Sequence, residues 1–340
     1  KFGRNVSVIL GLGSFLILYL SSGYLISTFQ PTENIQLLSS DYLVFRCIGL
    51  PFYLVNMHST AVLRGLKYAK ITFYSALIVS ISNILFSLFF GIFLGLGAGG
   101  IGFASSLAFF CASIYSTVIL KKQLNKIPPS QELIDKPSMQ KKFFSVGVYI
   151  LIRSLFLTLF MAYLRNRSSL MSMQEIALQH ILLQLWSVGY IFVDAIAIAA
   201  QTLISELISK KEKYQKSALQ KELVSVTTVI SFFLAIMTFI FLENLIEIFG
   251  GDSFDLYINL QLKILVALSL FIGCYAFLWD GVLLGLDKSK EFSLLTVVSS
   301  VAGFLVCAYL LRTQNTISTL WIGLNVSLIF RSLLGYVYQK

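Results

Sequence analysis

The side chains best suited to chemistry in this 340-residue chain lie inside apolar runs. Asp194 and Asp280 are carboxylates in stretches otherwise built from Leu, Ile, Val, Phe and Ala. A low-dielectric site disfavours the ionised form of a carboxyl group, which suits it to carry a proton reversibly. With hydroxyl and carbonyl oxygens nearby it could instead hold a sodium ion. Asp280 near the end of its run could also be a salt-bridge or capping residue. Around Asp194 the polar residues form a pattern: His180, Gln184, Ser187, Tyr190, Asp194, Gln201 and Ser205 follow steps of 4, 3, 3, 4, 7 and 4. On a helix of 3.6 residues per turn these steps make one stripe, while the opposite face is apolar. Hydrogen-bond glue between helices explains one or two such residues, but not seven. The stripe is read as the lining of a cavity.

Arg153 shares a face with Ser145 and Tyr149 and is expected to pair with Asp194 or with a substrate anion. Arg46 and Arg331 are expected to snorkel toward the membrane surfaces. Gln179, His180, Gln184, Tyr190, Gln201 and Arg153 are the candidate substrate-binding residues. Asp194 and Asp280 are the candidate ion-coupling acids. Smaller polar faces occur at Asn56, His58 and Thr60, and at Ser80, Asn83 and Ser87. The two histidines lack metal-ligand spacing. Gly95-Leu-Gly-Ala-Gly-Gly100 has no Lys-Ser/Thr ending and reads as a tight turn followed by close helix packing. No Ser-His-Asp, Cys-His or HExxH arrangement is evident, so no enzyme is expected.

The elements that must position these residues are membrane helices. The chain is 57% hydrophobic and 12% charged, with a mean hydropathy of +0.82. Soluble domains carry about 25% charged residues. Apolar runs of the length needed to cross a hydrocarbon core recur throughout, without the alternating short strands of a barrel. Ten spans are expected, at 6–28, 42–63, 71–94, 98–120, 143–163, 177–204, 222–242, 259–284, 292–311 and 318–338. Cys47, Cys111, Cys274 and Cys307 all fall inside apolar runs and read as buried small residues.

The net charge of +10 comes from residues in the loops, and a nucleic-acid partner is not expected. Most basic residues fall on one side: Arg64, Lys67 and Lys70, the cluster from Lys121 to Lys142, the run from Lys210 to Lys221, and Lys288 and Lys290. Arg165, Arg167 and Arg312 fall on the other, with Glu33, Asp41, Glu243, Glu247, Asp252 and Asp255. The positive-inside rule puts both ends in the cytoplasm. Three regions follow: a four-helix N-terminal bundle over 1–120, a cytoplasmic linker over 121–142 containing Pro128 and Pro129, and a six-helix bundle over 143–340.

An internal repeat underlies this division. Residues 25–29 (Leu-Ile-Ser-Thr-Phe) match 245–249 (Leu-Ile-Glu-Ile-Phe), and 62–66 (Val-Leu-Arg-Gly-Leu) match 282–286 (Val-Leu-Leu-Gly-Leu). Both pairs lie 220 residues apart, as do Lys70 and Lys290. Related halves are how many transporters are built. At this offset the spans 143–163 and 177–204 have no counterpart, which leads to the expectation of an N-terminally shortened form of a protein with six spans per half.

Several stretches carry a family resemblance. Arg64-Gly65-Leu66-Lys67 resembles the R-G-x-x-D-T helix ending of multidrug and toxic compound extrusion (MATE) transporters, although Lys67 and Lys70 depart from its acidic-Thr end. Gly97 to Ala104 resembles the G-x-x-G-a-a-x-A start of the family's next helix. Leu151 to Leu157, Ala177 to Leu185, Val193-Asp194-Ala195 and Trp279 to Gly285 are similar to the DinF-like branch. The resemblance spans nearly the whole chain. It implies an all-α polytopic membrane protein of two pseudo-symmetric helical bundles, with ten of twelve helices present.

It also implies a central cavity, and an antiporter that exports small organic, cationic or amphipathic compounds in exchange for protons or sodium. Asp194 and Asp280 match acids of this branch, whereas the acid of the first helix has no counterpart here. The partners implied are a small-molecule substrate and the bilayer, with a monomeric chain and no cofactor beyond the ion gradient. The location implied is a cell inner membrane, or a plastid envelope for a plant or algal source. The alternatives are a lipid-linked oligosaccharide flippase of the same superfamily and a non-transporting remnant.

Overall fold

The computed structural model describes residues 2–27, 33–126, 136–210, 213–250 and 258–339. Among the described residues the elements are all helices. They are α1 (Phe2–Ser27), α2 (Glu33–Cys47), α3 (Leu50–Gly65), α4 (Ala69–Phe86) with its π-helical extension Ser87–Phe93, and α5 (Gly97–Leu124). Then follow α6 (Lys136–Ser168), α7 (Met173–Ser209), α8 (Lys213–Gly250), α9 (Leu260–Gly285), α10 (Ser289–Leu310) and α11 (Ile317–Tyr338). Among the described residues nine helices are long and apolar enough to cross a membrane, and α2 with α3 makes a tenth span if counted as one bent unit. Chain contacts divide into two compact units, Lys1–Glu132 and Leu133–Lys340. Pro128 and Pro129 of the expected linker, and Lys211, Asp252 and Asp255, lie outside the described residues.

The second expected span, drawn as one segment over 42–63, is instead broken and bent by 46° between Cys47 and Leu50. Pro51 is the cause: it has no N–H to offer the Cys47 carbonyl, and its ring crowds that carbonyl. The Gly49 N–H turns to Arg46 O at 3.2 Å, which strips Phe45 O of its helical donor. Ser106 on α5 replaces it, donating from Oγ to Phe45 O at 2.7 Å. Several other helices outrun their expected boundaries. α7 and α8 have 37 and 38 residues, about 55 Å at 1.5 Å per residue, because charged flanking sequence continues the helix beyond any hydrocarbon core.

In the first unit α5 packs against α2, α3 and α4 through a face of small residues, among them Gly99, Gly102, Ala104, Ser106 and Ala108. A Cβ on Gly102 would fall 2.5 Å from Tyr42 O, so only glycine permits this approach. Positive φ at Gly95 and Gly97 forms the tight turn that leads into α5. In the second unit α9 plays the central part, against α7, α8 and α11. A Cβ on Gly281 would lie 2.2 Å from Ala197 O on α7. Close backbone approach of this kind drives helix association where lipid offers no hydrophobic gain.

The 220-residue repeat reappears as backbone geometry. α3 and α9 end at Gly65 and Gly285, α4 and α10 begin at Ala69 and Ser289, and α5 and α11 begin at Gly97 and Ile317. Both turns close with the same bonds: Tyr68 N–H to Leu63 O and Lys67 N–H to Arg64 O, matched by Lys288 N–H to Leu283 O and Asp287 N–H to Leu284 O. This is a Schellman ending, with Lys67 (φ 66°) and Asp287 (φ 62°) in the left-handed position usually held by glycine. Where the copies differ the sequence explains it: the counterpart of Pro51 is Phe271, and α9 runs unbroken.

Replacing Gly281 by Ala forces a Cβ against backbone that cannot yield, and should cost about 1–3 kcal/mol by overpacking. Gly147 on α6 has nothing within 4 Å of its would-be Cβ, so Gly147→Ala should be neutral or stabilising. Thermal unfolding midpoints of the two variants in detergent check the contrast.

Candidate functional site: a buried carboxylate between two arginines

Asp280 is buried near the end of α9. Arg331 of α11, also buried, grips it with a fork: Nε donates to Oδ1 at 3.2 Å, and Nη2 donates to Oδ2. Arg331 was expected to snorkel to a membrane surface, and the structure corrects that. Its side chain is 3% exposed, because a guanidinium at this depth is stabilised far better by a carboxylate at matching depth than by stretching toward water. Arg153 of α6 approaches the same carboxylate, with Nη2 3.4 Å from Oδ2. It contacts Asp280, and the pairing with Asp194, one of the two partners expected of it, is not seen among the described residues. Ser293 of α10 donates to Tyr149 O at 2.8 Å, fixing α6 one turn before Arg153.

Aromatic rings support both cations. The Arg331 guanidinium lies 4.7 Å from the Phe277 ring centre, and that of Arg153 lies 4.4 Å from Phe292. Tyr190 of α7 meets Phe277 edge-on at 4.2 Å and Trp186 at 4.1 Å. Trp186 in turn meets Trp321 of α11, whose Nε1 donates to Gln179 Oε1 at 2.9 Å. Gln179, Tyr190, Arg153 and Asp280 therefore belong to one connected interior cluster of the second unit.

The remaining sequence-derived candidates lie elsewhere on α7. Its buried face is Leu178, Gln179, Leu182, Trp186, Val193, Ile196, Ala197, Ala200 and Ile204. His180, Gln184, Ser187, Asp194, Gln201 and Ser205 are exposed within the chain, and only Tyr190 of the stripe turns partly inward. Asp194 has no hydrogen-bond or ion-pair partner among the described residues. The structure thus separates the two acids: Asp280 is enclosed and paired, Asp194 exposed and unpaired. Arg331, Phe277 and Trp321 complete the cluster and were not among the sequence-derived site residues. A signal for Arg331 was present, since it and Asp280 both sit within two turns of the same-side ends of their helices.

A protein-family model described as MatE matches residues 3–89 and 147–309. Protein DETOXIFICATION 45, chloroplastic, from Arabidopsis thaliana is 24% identical over 336 residues, which is 96% of this chain and 58% of that protein. The chain therefore spans about three fifths of this plant relative. Probable multidrug resistance protein NorM from Photorhabdus laumondii is 24% identical over 98% of the chain and 76% of its own length. Among solved structures, the outward-facing conformation of a multidrug resistance MATE family transporter of the MOP superfamily superposes with a TM-score of 0.87. It does so at 14% identity, over 99% of this chain and 76% of that one. At that identity the likeness shows the fold.

Removing one partner of a buried ion pair strands the other. Asp280→Asn and Arg331→Gln should each destabilise the second unit by about 3–5 kcal/mol, whereas the pair-replacing Asp280→Leu/Arg331→Met should recover most of that loss. A double-mutant cycle on unfolding free energies measures the coupling.

Proposed function

The chain belongs to the MatE family, and from that premise we propose that it is a secondary antiporter. It would export small organic compounds, cationic or amphipathic, across a membrane in exchange for protons or sodium ions, by alternating access. Members of this family are transporters rather than enzymes, and the chain is a multi-pass membrane protein. The finer placement in the DinF-like branch, with these spans as helices three to twelve of twelve, belongs to the same proposal. So does residence in a cell inner membrane, or in a plastid envelope for a plant or algal source. The name of the plant relative, chloroplastic, is in keeping with the latter.

The observation that carries this reading is the exposed, unpaired carboxylate of Asp194 within a membrane-spanning helix. Ionisable groups at such depth are costly, and they mark ion or substrate pathways. Asp194 lies on a continuous polar stripe with His180, Gln184, Ser187, Gln201 and Ser205, all exposed on α7. As a coupling acid, Asp194 would take up a proton or sodium ion from one side. Losing its charge alters the relative free energy of the two packings of the protein, and the bound compound is released when the favoured packing changes. Asp280 is the second coupling candidate, and in this state Arg331 grips it while Arg153 approaches it. An incoming proton would have to displace one of them. His180, Gln184 and Gln201 are proposed to contact the compound along the stripe. Tyr190 and Gln179 support it from the core side. The flippase alternative finds no support in the names of the related proteins.

In vesicles carrying the full-length protein and an imposed proton or sodium gradient, Asp194→Asn is expected to reduce efflux of fluorescent amphipathic compounds to the leak level without lowering the unfolding midpoint. Efflux at the wild-type rate in Asp194→Asn would remove Asp194 from the coupling step.

A further inference from the structure

The repeated turn carries different charge in its two copies. Between α9 and α10 the signs balance: Asp287 pairs with Lys142 of α6, Lys288 donates to Tyr338 O at 2.7 Å, and Glu291 follows Lys290. Between α3 and α4 the same backbone bonds hold Lys67 in the place of Asp287, with Arg64 before it and Lys70 after it. The end of α5 adds Lys121, Lys122 and Lys126 at the same level: Ser59 on α3 meets Thr117 on α5 at 3.3 Å, and Arg64 and Lys121 each follow just over one turn later. All of these but Arg64 are exposed. The acids of the described first unit, Glu33 and Asp41, both belong to α2, and Asp41 lies beside Gly99 at the opposite end of α5. Six basic side chains thus share a rim that holds no carboxylate among the described residues. The positive-inside bias accounts for lysines in both turns, but not for the acids being confined to one of them.

We propose that this rim of the first unit, centred on the α3–α4 turn and the end of α5, binds the headgroup of an anionic phospholipid. Apolar side chains adjoin the charges: Tyr68 in the turn, Phe73 and Tyr74 in the first turns of α4, and Val118 and Leu124 on α5 are all exposed. A soluble anion would use the lysines alone, whereas a phospholipid meets both parts of the surface, its phosphate at the lysines and its acyl chains along the rings. Basic groups clustered at a helix end by the membrane surface attract acidic lipids in this way, each adding to the affinity. The balanced turn of the second unit offers no such net charge and serves as the internal control.

The test is lipid-dependent thermal unfolding of the purified full-length protein in a nonionic detergent, using dioctanoyl phosphatidylglycerol, dioctanoyl phosphatidylcholine and glycerol phosphate. Phosphatidylglycerol should raise the unfolding midpoint saturably, phosphatidylcholine should not, and glycerol phosphate should do so only at far higher concentration. Salt at about 0.5 M should weaken the response by screening. Lys67→Asp/Lys70→Gln, which gives the first turn the acid of the second, should raise the half-saturating concentration about tenfold or more. Its midpoint without lipid should stay near that of the wild type, since both side chains are exposed. Lys290→Gln in the second unit should leave the half-saturating concentration unchanged. No effect of phosphatidylglycerol, or an undiminished one in Lys67→Asp/Lys70→Gln, would overturn the proposal. So would an equal effect of phosphatidylcholine (an acyl-chain site), an equal effect of glycerol phosphate (a bare phosphate site), or an equal loss in Lys290→Gln (diffuse charge).

Discussion

A charge removed from water must find its opposite, and in the second unit that requirement is met by the pairing of Asp280 with Arg331. The effective cost of desolvating each ion is several kcal/mol, and only close, directional contact offsets it. The fork of Arg331 on both carboxylate oxygens supplies such contact. It also fixes where α9 and α11 stand against each other. The rest of the interior is arranged around this constraint. Phe277 and Phe292 lie beneath the two cations, Tyr190 and Trp186 extend the aromatic wall, and Trp321 ties α11 to Gln179 on α7.

Packing in both units depends on how near backbones can come. Small residues line α5 in the first unit, and Gly281 does the same work between α9 and α7 in the second. With lipid on the outside there is little hydrophobic gain in bringing helices together. Dispersion contacts and hydroxyl-to-carbonyl bonds, such as Ser106 to Phe45 O, carry the association. Such bonds also occupy carbonyls that the helix itself has released.

Much of this was legible in the residues, and the exceptions have identifiable causes. Span number and spacing follow from apolar run length, and the 220-residue repeat is visible as a matched pair of turns down to individual hydrogen bonds. The break at Gly49 escaped because hydropathy does not register a proline inside an apolar run, although Pro51 carries the reason for it. Apolar run length gives helix ends that are too short, because hydropathy stops at the membrane while helical hydrogen bonding continues. The stripe on α7 was readable as a stripe, since periodicity fixes which residues share a face. Periodicity does not say which helix lies opposite, so Tyr190 turns partly inward while Asp194 is exposed, and Gln179, one position off the stripe, is a core residue. The burial of Arg331 is hidden for the same reason: its partner lies 51 positions away on another helix.

The proline that interrupts one copy of the repeat and the phenylalanine that replaces it in the other have a mechanical consequence. Two limbs descended from one pattern have acquired unequal compliance. Around Gly49 the chain has a joint where a few backbone torsions can absorb a change of angle, with Ser106 as its bearing. The matching stretch of α9 is a stiff rod loaded with the ion pair. A duplicated module has in this way divided its labour, one copy keeping the articulation and the other keeping the charges still.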